Sequence, residues 1–286
     1  MRSFNAATIL RPLPRQTRPM SRETVESFLR RLEKVNGLQD ELRQIVRQAD
    51  HPPAVTISVL TARTAESLAK ALPELRLPDS RMSDTHLRRA MPFQWRCLAC
   101  ELCAARHCGD RSRVHVWTMG HDAVCVRHRR WVGDADFFHC DAQLDISSAP
   151  VILAANRKHK ALVGQFGLLA TREAVNSTYE LICDLTASSA LPRTTDLMTY
   201  LAGREFNQTS RFANYVVAAR YPAMIGIAAT LLQTHFALAP LRQNRRRWQL
   251  VQQKMAEAIC SDFGISGRTR NRVQSWACSV GWSIWI

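Results

Sequence analysis

Aromatic residues make up only 7% of this 286-residue chain, which also holds just 11 glycines and 12 prolines. Sandwiches and barrels need frequent tight turns and many β-favouring aromatics, so this scarcity argues against an all-β architecture and for helices. Acidic residues are a second shortage. Asp and Glu number 24 against 39 Lys and Arg, a formal charge of +15. Such an excess favours polyanionic partners through long-range attraction and counterion release, nucleic acid foremost. Long apolar runs are missing as well. The longest, residues 223–232, is about half of what a bilayer requires, and residues 1–13 lack the apolar core and cleavage site of a signal peptide. The expectation is therefore no membrane association and a cytoplasmic, nucleoid-associated location. In that setting the nine cysteines read as thiols and metal ligands rather than as a disulfide framework. Catalytic signatures are lacking too. The chain has no His-Glu-x-x-His, no Gly-x-x-x-x-Gly-Lys and no His-x-Glu beside its cysteine pairs, so no enzymatic activity is expected.

What is present is helical periodicity, interrupted once. Residues 1–20 are polar and arginine-rich and read as an extended basic arm. Residues 21–94 form a first helical region. Ser21 is placed to cap a helix with Glu23 in its first turn, and Val25, Phe28, Leu29, Leu32 and Val35 line one face until Asn36-Gly37 stops it. A second helix starts at Leu38 and ends at His51-Pro52-Pro53, and Thr64 caps a shorter one. A linker over 77–94 carries a short helix at 85–90. Residues 95–148 lose the helical period, and Val114-His115-Val116-Trp117 alternates as a strand. Helices return over 149–240, at 151–166, 168–185 and 194–201. Two more follow at 210–220 and 223–238, the second started by Pro222. The last segment, 241–286, carries eight Lys or Arg against two acids. The fold class expected is mainly α: helical subdomains around a small metal-binding module.

The chemistry concentrates in that module. It reads Cys97-Leu-Ala-Cys100-Glu-Leu-Cys103, then Cys108, then Cys125-Val-Arg-His128. Ligands two residues apart can point at one tetrahedral centre while backbone amides donate to the thiolates. Two such pairs about twenty residues apart close a Cys₃His site, and sulfur with imidazole suits Zn²⁺. The register of the first pair is open, Cys97 with Cys100 or Cys100 with Cys103. Four protein ligands leave no position for an activated water, so a structural ion is expected.

Basic residues flank the site. Arg127 lies between the last two ligands, and Arg129-Arg130-Trp131 follows them. Arg157, the run Arg245-Arg246-Arg247-Trp248, and Arg268, Arg270 and Arg272 add further charge. Arginine positions on phosphate bidentately. Trp131 and Trp248 either stack on nucleic acid or, as preferred, anchor small cores. At the end of the chain, short helices at 256–261 and 269–277 joined by a turn at 262–266 match a helix-turn-helix pattern, with Arg268, Arg270 and Arg272 at the start of its second helix.

The cysteine module resembles the TniQ family, the TnsD/TniQ group of transposition target-selection proteins, and is most similar to its shorter, actinobacterial-type members. The residues that carry the resemblance are Leu13-Pro14, Glu26-Ser27-Phe28-Leu29-x-x-Leu32, Cys100-x-x-Cys103-Ala104-Ala105-Arg106, and Cys125-x-x-His128-Arg129-x-Trp131. They continue with Gln143-Leu-Asp-Ile-Ser-x-x-Pro150 and Asn156-Arg-Lys-His159. The resemblance covers roughly residues 8–170 and places the first pair at Cys100 and Cys103. It implies a helical fold around a zinc finger, association with DNA, and action beside a transposase and its AAA+ ATPase. The chain departs from larger members in having no evident second zinc finger and in its extra Cys97 and Cys108. Two other readings stand beside this one. One is a stand-alone regulator of transcription using the helix-turn-helix. The other is a zinc-containing hydrolase or nuclease.

Overall fold

A computed structural model describes residues 10–76, 95–108, 113–133, 143–203, 209–238 and 245–283. The chain divides into two compact units. One comprises Met1–His128 with Val132–Gln143; the other comprises Arg129–Trp131 with Leu144–Ile286.

The first unit opens with four helices: α1 (Val25–Asn36), α2 (Glu41–Gln48), α3 (Pro53–Thr61) and α4 (Ala65–Ala71). The apolar face predicted for α1 is buried, with Val25, Phe28, Leu29 and Leu32 in a core shared with Leu42, Val46, Ile57, Leu60, Leu68 and Leu72. Gly37, at φ 68°, ends the helix as expected, in the left-handed conformation that glycine adopts without strain. The start differs from expectation. Ser21 does not cap α1; Thr24 does, its hydroxyl accepting the Ser27 N–H at 3.1 Å. Glu23 precedes the helix and is wholly buried, because it receives two hydrogen bonds from the Arg31 guanidinium, at 2.9 and 2.8 Å. Helix α2 begins at Glu41 rather than Leu38. The Leu38 N–H returns to the Glu33 carbonyl, and the Glu33 carboxylate accepts the Leu42 and Arg43 amides at the start of α2. Thr64 caps α4 as expected. The described part of the expected basic arm is docked rather than extended into solvent: Leu13 N–H donates to Leu60 and Arg15 N–H to the Asn36 side chain. The short helix expected at 85–90 lies outside the described residues.

Two antiparallel strands follow, β1 (Trp95–Leu98) and β2 (His115–Thr118), the latter where alternation predicted a strand. Between them lies α5 (Glu101–Cys108), which the sequence reading missed. Its cysteines and short length hide the helical period. Strand β3 (Val124–Cys125) closes the unit's metal-binding segment.

The second unit begins with a two-strand pair, β4 (Arg130–Trp131) and β5 (Leu144–Asp145), in antiparallel register. Six helices follow among the described residues: α6 (Pro150–Phe166), α7 (Leu168–Ala187), α8 (Pro192–Ala202), α9 (Thr209–Leu238), α10 (Arg245–Phe263) and α11 (Arg268–Ser283). The two helices expected at 210–220 and 223–238 are one, with Pro222 inside it. An internal proline removes one backbone hydrogen bond and costs about 3 kcal/mol. Burial of Val217, Ala218, Tyr221, Met224, Ile225, Ala228 and Leu232 along that helix offsets the loss, since α9 packs against α6, α7, α8 and α10. Residues Asn214–Ala237 are long and apolar enough to cross a membrane by length and composition, and 78% of that window is buried within the fold.

Trp131 and Trp248 are buried, as the preferred reading held. Trp131 meets the Tyr221 ring edge-on at 5.1 Å. The Tyr221 hydroxyl in turn lies 3.0 Å from His159 Nδ1 and accepts from the Asn156 amide at 3.3 Å.

Candidate metal centre

Four elements of the first unit bring the ligands together. Cys100 ends the run after β1, Cys103 lies in the first turn of α5, Cys125 ends β3, and His128 lies in the turn after it. The Cys100–Cys103 spacing works because Cys100 starts a helix: its carbonyl accepts the Ala104 N–H at 2.9 Å, so the side chain three residues on shares its side. The amides of Leu102 and Cys103 donate to Cys100 Sγ, and the His128 amide donates to Cys125 Sγ. These are the bonds that hold a thiolate in place for a metal.

The donor atoms Cys100 Sγ, Cys103 Sγ, Cys125 Sγ and a ring nitrogen of His128 all lie within 4.8 Å of one another. His128 Nδ1 is 3.5 Å from Cys100 Sγ, 3.2 Å from Cys103 Sγ and 3.7 Å from Cys125 Sγ. Cys103 and Cys125 sulfurs are 3.7 Å apart. A tetrahedral ion with bonds near 2.3 Å to sulfur and 2.0–2.1 Å to nitrogen sets edges of about 3.8 Å and about 3.6 Å. The observed separations match that tetrahedron, and all four cysteine or histidine ligands can coordinate a metal ion. A disulfide would bring two sulfurs to about 2.05 Å, and these cysteines are free.

Thiol protonation shows what the cluster does without a cation. A hydrogen bond to Cys125, together with burial, pushes the Cys100 thiol up to about 12. That same bond holds Cys125 below its ordinary value, while burial raises Cys103. Crowded together, the raised thiols keep their protons until a cation replaces them, so metal uptake at this cluster would release protons. Arg127, exposed between the last two ligands, favours the Cys103 thiolate.

The clustered donors follow the Cys100–Cys103 register. Cys97 sits on β1 opposite Val116 and is not among the clustered donors. Cys108 ends α5 and is also outside the cluster. One positioning group was missed. The Gln143 amide accepts the Glu101 N–H at 3.0 Å and donates to the Ala99 carbonyl at 2.7 Å, so it clamps the backbone on both sides of Cys100. No periodicity links residues more than forty positions apart, so no sequence signal pointed to this contact.

The arginines proposed from sequence fall on several elements of both units. Arg127, Arg129, Arg157, Arg268, Arg270 and Arg272 are exposed. Arg129 adopts φ 49°, and Arg130 is half-buried opposite Asp145. Arg245, Arg246 and Arg247 open α10, but their side chains lie outside the described residues. Arg270 approaches Glu257 at 3.9 Å.

The helices expected at 256–261 and 269–277 are the ends of much longer ones. The turn between them is a helix stop: Gly264 N–H returns to Ser261 and Ile265 N–H to Cys260. Beyond it, Gln252 of α10 donates to the Ala277 and Cys278 carbonyls of α11. At a rise of 1.5 Å per residue, that contact lies roughly 15 Å from the turn along each helix. Helices splayed at about 90–120°, as in a DNA-reading helix-turn-helix, have separated by then. The two helices stay in contact over this length, and no helix-turn-helix motif is confirmed among the described residues.

The chain matches no protein-family model, no curated protein and no solved structure.

Proposed function

We propose that this chain is a zinc-stabilised, non-enzymatic DNA-binding adaptor of the TniQ type. In this reading it selects transposition targets by bridging DNA and a transposase with its AAA+ ATPase. The observation that carries the reading is the Cys₃His donor set at tetrahedral spacing, in the register that the family resemblance implies. Sulfur-rich donors with one imidazole favour Zn²⁺, which supplies folding energy and no redox chemistry when bound. Four side-chain ligands complete its coordination, which supports a structural role over a hydrolytic one. Three thiolates and a divalent ion carry one net negative charge, and Arg127 stands beside them to offset it.

The DNA part of the reading rests on the +15 formal charge and on the exposed arginines on both units. The contact of α10 with α11 well beyond their turn gives the stand-alone regulator less support than the adaptor. The test is direct. Purified protein should carry about one zinc per chain. It should bind duplex DNA with an affinity that falls steeply between about 50 and 200 mM salt, and it should retain an AAA+ ATPase on that DNA. Protein without metal would end the zinc reading. A flat salt response would end the phosphate-contact reading. DNA binding without ATPase retention would end the transposition reading and leave a stand-alone binder.

A further inference from the structure

Three guanidinium groups of the first unit converge on one carboxylate. Glu26, in the first turn of α1, takes Arg30 at 2.6 Å from one turn along the same helix and Arg96 of β1 at 2.7 Å. Arg43 of α2 reaches it at 3.7 Å. Arg43 also pairs with Asp40. Three arginines thus stand against Glu26 and Asp40. The nearby Glu74 is only 4% exposed and turns to the Val25 amide and the Trp117 indole.

One carboxylate cannot use the donors of three guanidinium groups, each of which offers five N–H bonds. Arg30 and Arg96 keep 52% and 36% of their side-chain surface exposed. Glu26 therefore holds the guanidinium groups together while much of their hydrogen-bonding capacity faces outward. Two electrostatic signs agree with a local positive excess. Burial alone would raise the Glu26 carboxyl, yet Arg96, Arg30 and Arg43 hold it below its ordinary value. Burial lowers His115, and Arg96 and Arg30 push it further down.

We infer that Arg30, Arg43 and Arg96, preorganised around Glu26, form a backbone-phosphate docking site for duplex DNA. It is distinct from the arginines that the sequence pattern singles out. This inference rests on the DNA-binding reading above and adds the surface that would carry it. Arginine forks suit phosphate oxygens in a way that a scattered lysine surface does not. Contacts of this kind position a duplex without reading its sequence.

The test uses the full-length, metal-loaded protein and a short mixed-sequence DNA duplex, with affinity measured as a function of salt. Arg96→Gln and Arg30→Gln should each weaken binding by about three- to tenfold and reduce the slope of log affinity against log salt by about 1. Glu26→Gln should act in the opposite direction, tightening binding by roughly three- to tenfold at low salt, because it removes the acid that competes with phosphate. A residue that merely braced the fold would not give that opposite sign. Lys70→Gln, on α4 and paired with Glu66, should leave both affinity and slope unchanged. Metal content and melting temperature report whether each variant is folded, and Arg30→Gln keeps the test alive if Arg96→Gln is not. If the wild-type protein binds DNA but the arginine and Glu26 variants keep its affinity and slope, the docking site is wrong and the DNA reading stands. If the wild-type protein does not bind DNA, both fall.

Discussion

The two units solve the same problem with different materials. In the first, the helices α1 to α4 run for only 7 to 12 residues, and four charged side chains, Glu23, Arg31, Glu33 and Glu74, are buried. In the second, α6, α7 and α9 run for 17, 20 and 30 residues, and no Asp, Glu, Lys or Arg is buried among the described residues. Short segments bury too little apolar surface to lock one another in place. They are tied instead by directional links: a buried Glu23–Arg31 pair, carboxylates on helix starts, and a cluster built for a metal. Long helices need fewer such links because apolar contact along several turns is enough. The lesson is that polar cross-linking and the cluster able to coordinate a metal belong to the unit of short helices.

The comparison breaks most visibly at the metal. Cys125→Ser should abolish metal binding, with a loss on the order of 10 kcal/mol of ion-binding free energy. Limited proteolysis should then cut between residues 95 and 133 while the helices of the second unit stay protected. Equal sensitivity of both units would mean that the metal is not a local tie. Next in size is the buried ion pair. Arg31→Met leaves Glu23 buried and unpaired and should cost about 3–5 kcal/mol in a denaturant titration, whereas an apolar replacement of both partners should cost much less.

Acid–base behaviour should also set the first unit apart. Burial raises the Glu74 carboxyl above its ordinary 4.5. The folded state therefore holds that proton more tightly than the unfolded chain. The stabilisation this gives is complete below pH 4.5 and is lost as pH climbs through the raised value. Glu74→Gln should remove that downward slope from a stability–pH profile, and an unchanged profile would refute the assignment.

The smallest effects test the second unit's apolar packing through two glycines. A Cβ at Gly226 would sit 2.8 Å from the Phe263 ring, so Gly226→Ala should destabilise by about 1 kcal/mol or more, and Phe263→Leu should relieve it. At Gly164, exposed on α6, a Cβ meets nothing within 4 Å, so Gly164→Ala should stabilise by roughly 0.5–1 kcal/mol. Melting temperatures moving in the same direction would break the packing argument.

Much of the fold was legible because its signals are short-range. The apolar face of α1, the stop at Gly37, the Thr64 cap and the β2 alternation are all written within a few residues. The places where the reading failed depend on partners beyond a residue's immediate neighbours. Glu23 looked like a first-turn acid, but Arg31 draws it inward. Pro222 looked like a helix start, but the burial along α9 carries the helix through it. The turn between α10 and α11 matches a helix-turn-helix pattern in sequence, but a glycine turn has the same local sequence whether its helices splay or fold back.

The metal centre divides in the same way. Sequence alone determined the helical class, the ligand types, the two-residue spacings and the pair Cys125 and His128, because ligand chemistry and helix periodicity are local properties. Tertiary structure brought Cys103 rather than Cys97 to the cluster, set Gln143 around Cys100, and drew Arg43 and Arg96 onto Glu26. Each of those outcomes depends on which strand or helix packs beside another. That choice is set by burial summed over the whole first unit, which no window of neighbouring residues contains.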